Sequence, residues 1–172
     1  MNLRSFTYED LEEATGGFKE ELGKGSFGTV YKGVLASSHN KYVAVRKLDK
    51  MVKEDEKEFK TDVTVIGQTY HKNLVQLLGY CGEDWILVYK FMFNGSLSSF
   101  LFGVVRPSRQ QRMQTASGVA KGLMYLHKEC NTQIIRCDIK PQNILLNDFF
   151  TAKNFWLWTS KTFDEPPILS SH

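Results

Sequence analysis

Gly23-Lys24-Gly25-Ser26-Phe27-Gly28-Thr29-Val30 is the stretch on which the fold turns. Its G-x-G-x-x-G-x-V spacing leaves out Cβ atoms where backbone amides need to approach phosphate oxygens. Two other readings compete, a Gly-rich hairpin turn and a dinucleotide fingerprint, and the latter has to follow a strand and open a helix. The residues that follow, Thr29-Val30-Tyr31 and Val34-Leu35, are β-formers. The loop therefore joins two strands, and the dinucleotide reading fails.

Outward from the loop, residues 20–48 read as three consecutive antiparallel strands, with turn residues at 23–28 and at Ser37-Ser38-His39-Asn40. Upstream, Thr7-Tyr8-Glu9-Asp10 fits a capping box, which predicts a short helix through Ala14 that stops at Gly16-Gly17. Downstream, Phe59, Val63 and Ile66 recur at helical spacing and predict an amphipathic helix over 53–67 whose apolar stripe faces the sheet. Residues 74–80 and 85–89 read as two further strands. Asn94-Gly95-Ser96 breaks the pattern, and Ala116, Val119, Ala120, Leu123 and Leu126 mark a long helix with a buried face. The class is α+β: a five-stranded antiparallel sheet with one helix, then a mostly helical half, with a cleft between the two.

The second chemical signal is Arg136-Cys137-Asp138-Ile139-Lys140-Pro141-Gln142-Asn143, followed by the apolar Ile144-Leu145-Leu146. Phosphoryl transfer needs a carboxylate to accept a hydroxyl proton, a cation against the moving phosphate, and an oxygen to hold a metal. Asp138, Lys140 and Asn143 supply these groups at D-x-K-x-x-N spacing. Singly, each is an ordinary polar loop residue; together they form a constellation.

Composition narrows the rest. The chain has 172 residues, a net charge of +3 and 42% apolar residues, which predicts one domain folding in water, with no nucleic-acid partner. Cys81, Cys130 and Cys137 are odd in number and lack metal-site spacing, which points to a reducing, intracellular compartment. The apolar stretch at 85–93 is too short to span a bilayer and is interrupted by Lys90, and residues 1–10 carry no signal-peptide core. His71 and His127 sit at element edges without a partner set and are assigned structural roles, and Cys137 is given no catalytic one.

With these residues in place, the chain resembles a eukaryotic protein kinase, most closely the plant receptor-like serine/threonine kinases of the S-domain, or G-type lectin, class. The likeness rests on residues 18–35, 58–81, Asn94-Gly95-Ser96-Leu97 and 122–147, and it covers about residues 6–155. It implies a kinase N-lobe and hinge at 18–93 behind a flank at 1–17, a partial C-lobe at 94–161, and a tail at 162–172. It implies ATP and Mg2+ as cofactors, a protein substrate or an intact receptor-like kinase as partner, and plasma-membrane association only within a longer chain. The nucleotide site it implies takes in Leu22, Gly23, Lys24, Gly25, Ser26, Phe27, Gly28, Val30, Ala44, Arg46, Lys47, Tyr89 as gatekeeper, and Lys90 and Met92 of the hinge. Asp138 and Lys140 are the implied catalytic pair, and Asn143 the implied metal ligand.

The sequence also departs from the family pattern. Val43-Ala44-Val45-Arg46 carries Arg where the V-A-[IV]-K Lys belongs, and Lys47 would replace it only by a one-residue slip that reverses every side chain. Asp62 stands for the Glu that pairs with that Lys, so Arg46 and Asp62 are the expected ion pair, against a reading of two solvated charges. Arg136 replaces a His. Trp156-Leu157-Trp158 falls where D-F-G belongs, and nothing after Lys161 resembles an activation segment. These losses predict impaired phosphotransfer. A non-catalytic module for an intact kinase, or a remnant without a role, are the alternatives.

Overall fold

The computed structural model describes residues 3–25, 28–49, 63–64, 67, 69–129, 135–136, 141–154 and 157–158. A six-stranded sheet organises the first half. Its strands are β1 (Arg4–Ser5), β2 (Glu21–Gly25), β3 (Gly28–Leu35), β4 (Lys41–Lys47), β5 (Leu77–Cys81) and β6 (Ile86–Lys90), in the order β1-β5-β6-β4-β3-β2. Strands β2 to β6 are the five antiparallel strands expected. The addition is β1, which runs parallel to β5 through Arg4 opposite Gly79 and Ser5 opposite Tyr80.

Period-2 alternation gives this sheet two buried faces. Val43 and Val45 of β4, with Ile86 and Val88 of β6, join Phe6, Leu11, Leu35 and Cys81 in one cluster. Leu87 and Tyr89 point the other way, into a cluster with Leu48, Val63, Leu74, Val75, Leu77, Met92 and Leu126. The first cluster is closed by α1 (Tyr8–Ala14), whose capping box is present: the Asp10 amide donates to Thr7 Oγ1 and the Thr7 amide to Asp10 Oδ2, each at 3.1 Å. The helix gives way at Gly16 and Gly17, both at positive φ, as the sequence indicates.

The helix expected over 53–67 lies largely outside the described residues, although Val63, Thr64 and Gly67 are helical and Val63 is buried. The second half opens with α2 (Leu97–Phe102), capped by Ser96 Oγ accepting from the Ser99 amide at 3.2 Å. The long helix α3 (Arg109–Glu129) starts at a second capping box, in which Ser108 and Gln111 exchange side-chain-to-amide bonds of 2.8 and 3.2 Å. Its inner face differs from expectation. Thr115, Gly118, Gly122 and Leu126 are buried, whereas Ala116 and Ala120 are exposed and Val119 and Leu123 half-buried. The cause is close packing: a Cβ on Gly118 would crowd the Asn73 amide and the Ala152 side chain, so the smallest residues take the inside.

Strands β8 (Ile144–Leu146) and β9 (Ala152–Asn154) pair antiparallel, and β7 (Ile135–Arg136) pairs with β10 (Leu157–Trp158). Leu97, Ile144, Leu146 and Ala152 form the core of this half. Among the described residues, no helix is long and apolar enough to cross a membrane.

Candidate functional site: a cavity between sheet and helical half

The cavity forms because two backbone runs are tied together across the chain. β8 is hydrogen-bonded to the segment leaving the sheet: the Asn94 amide donates to the Leu146 carbonyl at 3.0 Å, and the Leu146 amide to the Gly95 carbonyl at 2.8 Å. Asn94 Nδ2 donates to the Asn147 carbonyl at 2.7 Å. These bonds hold Asn143 and Leu145 beneath the sheet, leaving a cavity of about 530 Å3, within the range of small-molecule sites.

Its roof comes from β2, β3 and β4. Leu22, Gly23, Lys24, Gly28 and Val30 line it from the hairpin, and Ala44 and Arg46 from the same face of β4. Tyr89, Lys90 and Met92 form the back edge, and Asn143 the floor. Gly25 pairs with Gly28 at the end of the hairpin, so the Gly-rich loop joins two strands as its sequence requires. Ser26, Phe27, Asp62, Asp138, Lys140 and Trp156 lie outside the described residues. Lys47, included among the nucleotide contacts on resemblance, points away from the cavity. Its Nζ sits 4.4 Å from the Phe18 ring centroid and 5.4 Å from that of Tyr8, because successive residues of β4 face opposite sides.

Arg46 is the least ordinary group here. It is 7% exposed and sits opposite Val30 on one side and Leu87 on the other. Burial pushes its pKa down from the usual guanidinium value, with Tyr89 and Asp49 opposing. Tyr89 is fully buried, and burial pushes its pKa up to about 12, with the Arg46 charge opposing. A full-sized phenol beside Ala44 closes the depth of the cavity.

Several lining residues were not among the site residues read from the sequence: Val75, Phe93, Ser96, Ser99, Gln142 and Leu145. Phe91 and Phe93 meet edge-to-face at 5.1 Å, and Tyr42 lies 5.7 Å from Phe93, building an aromatic lip outside the hinge. His71 is structural, its Nδ1 accepting from the Asn73 amide at 3.0 Å and its ring stacked on Tyr125 at 4.7 Å.

Comparison with known proteins bears on the same residues. The sequence matches the protein tyrosine and serine/threonine kinase family over residues 17–155. The chain belongs to that family. Among its protein-kinase relatives, it is 60% identical over 155 residues to the G-type lectin S-receptor-like serine/threonine-protein kinase LECRK4 of Oryza sativa subsp. japonica. It is 53% identical over 157 residues to the G-type lectin S-receptor-like serine/threonine-protein kinase RLK1 of Arabidopsis thaliana. Each match covers 89% of this chain but 19% of the relative, so the kinase-type chain spans about a fifth of the length of the curated relatives it matches.

The cavity suits the nucleotide that protein kinases use. Leu22, Val30, Ala44, Met92 and Leu145 offer apolar walls for a base. The backbone leaving β6 is held by hydrogen bonds, with the Lys90 amide donating to the Gln76 carbonyl at 3.0 Å and the Gly95 amide to the Met92 carbonyl at 3.4 Å. For a metal the fit is thinner. Asn143 brings an amide oxygen, and no group of three or more His, Cys, Asp or Glu able to hold a metal occurs among the described residues.

Proposed function

We propose that this chain is a nucleotide-binding domain of the receptor-like serine/threonine kinase type in which phosphotransfer to a protein hydroxyl is impaired. The observation that carries this reading is the buried Arg46 guanidinium in the cavity wall, where a kinase of this family presents a Lys. A planar, forked guanidinium does not substitute for a compact ammonium at a phosphate contact. Trp156, aligned with the metal-binding Asp, is the second support. Magnesium-bound ATP supplies the γ-phosphoryl group when bound. The chain's own part is to seat the base between Val30, Ala44 and Leu145, approach the phosphates with the backbone at Gly23 and Gly28, and accept the hydroxyl proton at Asp138. Removing one preorganised electrostatic group from such a site costs on the order of a hundredfold to a thousandfold in rate.

The test is a thermal melt of the full chain with excess ATP, with and without magnesium, alongside phosphotransfer to a generic Ser/Thr substrate. Ligand at about a hundred times its dissociation constant adds roughly 2.7 kcal/mol. The expected result is a rise with ATP that is the same with and without magnesium, together with little phosphotransfer. A rise that requires magnesium, with turnover, restores an active kinase. No rise removes nucleotide binding and leaves a non-catalytic module that contacts an intact receptor-like kinase.

Arg46 also gives a gain-of-affinity prediction. Arg46→Lys combined with Asp62→Glu returns the family's pair, and nucleotide affinity is expected to rise about tenfold, the scale of one regained charge-assisted hydrogen bond. An unchanged affinity in a binding titration removes Arg46 as the cause of the impairment.

A further inference from the structure

A second concavity, of about 360 Å3, lies where the loop before β5, the outer turns of α3 and the β8–β9 turn meet, and it shares no lining residue with the nucleotide cavity. Lys72, Gln114, Ser117 and Lys121 line it, with Phe149 and Phe150 at the β8–β9 turn.

Its floor and rim are tied by hydrogen bonds. Asn73 Nδ2 donates to the Ala152 carbonyl at 2.9 Å, clamping the loop before β5 to β9. The β8–β9 turn is held by Asn147 Oδ1, which accepts from the Phe149 amide at 3.0 Å and the Thr151 amide at 2.8 Å. Phe150 takes a left-handed φ of 58° and lays its ring 5.5 Å from that of Phe100. That conformation is uncommon for a bulky residue. Phe149 is left 82% exposed on a fixed turn, so burying it under a ligand would require little further ordering.

The charge is one-sided. Lys72 and Lys121 are exposed cations in the lining, and Lys153 adds a third beside Lys72 by donating from Nζ to the Lys72 carbonyl at 2.7 Å. Burial lowers the pKa of Lys153, and the nearby Lys90 and Lys72 lower it further, which marks a locally positive field. Among the described residues, no acidic residue lines it; Asp148, next to Phe149, is exposed and outside the lining.

We infer that this groove docks a short acidic segment of a partner protein, with carboxylates meeting Lys72 and Lys121 and an apolar side chain packing on Phe149. The dimensions favour a peptide over a duplex or a membrane, since the concavity admits a few side chains and the whole chain carries only +3. The exposed ring at the rim favours a peptide over a free inorganic anion.

The experiment is fluorescence anisotropy on the full chain with a labelled acidic peptide carrying one phenylalanine, and with its Gln/Asn counterpart. The acidic peptide is expected to bind, and to bind more weakly as salt rises. Lys72→Glu with Lys121→Glu is expected to lower affinity by about tenfold or more, since it removes two attractions and adds two repulsions. Phe149→Ala is expected to weaken binding several-fold while leaving salt dependence in place. The control is Lys19→Glu with Lys41→Glu, exposed lysines of the sheet half that change net charge equally; it should leave affinity nearly unchanged. The inference is overturned by no binding, by equal binding of the amide peptide, or by equal loss in both charge-reversed pairs. Displacement by inorganic phosphate at concentrations equal to the peptide's would make the groove an anion site and overturn it too. Because all substituted side chains are exposed, matched melting curves separate lost binding from lost folding.

Discussion

Leu11→Ala is expected to lower the stability of the chain by about 2–5 kcal/mol, the range for deleting a fully buried leucine side chain. Leu11 has no exposed surface and is the centre of the α1 face that covers Val43, Val45, Ile86 and Val88. The neighbouring Glu12→Ala, on the exposed side of the same helix, should stay within about 0.5 kcal/mol. Chemical-denaturant curves for the two variants make the comparison. An equal, small effect from both would mean that α1 is an accessory and that the sheet's outer face is stable without it.

That prediction marks where the sequence was informative and where it was not. The helix itself was legible, since Thr7 and Asp10 bond each other locally, and local bonds leave a sequence pattern. Its docking was not. The contacts that fix the flank join Arg4 to Gly79 and Phe6 to Tyr80, and a two-residue strand has no periodicity to read. Gly79 lies inside the strand read at 74–80, where no sequence pattern marks it. A Cβ there would overlap the Arg4 carbonyl and the Phe6 ring, so it is the partner's approach that excludes a side chain.

The second large effect is at the hairpin. Gly28 has φ +130°, and a Cβ would overlap the carbonyl carbon and oxygen of Lys47, backbone atoms of the strand that carries Arg46 and Ala44. Conformations of this kind cost on the order of 1–3 kcal/mol for a residue with a side chain. Gly28→Ala is therefore expected to lose about that much stability and at least about tenfold in nucleotide affinity, because relief requires the hairpin or β4 to shift by about an ångström. Gly23→Ala meets nothing within 4 Å and should fold normally. Denaturation and nucleotide titration on both variants check this. Equal behaviour would show that the third glycine of the motif is not a structural constraint.

At the cavity, alternation did most of the predictive work. Given β4, Ala44 and Arg46 share a face and Lys47 cannot join them, so its place against Phe18 follows from strand geometry. What alternation cannot supply is the floor. Ser96, Ser99, Gln142 and Leu145 come from loops and short elements brought together by the bonds between Asn94, Gly95 and Leu146. The long helix shows the same limit. Counting apolar residues favoured Ala116 and Ala120 as buried, while the true inner face is set by how near β9 approaches, and Gly118 permits that approach.

The parallel pairing of β1 with β5 also bears on solubility. A sheet ending at β5 would present the free amides and carbonyls of Leu77–Cys81 as a template for another chain's strand. Arg4 and Ser5 occupy part of that edge, and both are exposed and polar, with the Arg4 guanidinium 4.6 Å over the Phe6 ring. A charged, two-residue strand is too short to template further addition. Removing the flank is expected to leave the outer edge of β5 open to pairing with another strand.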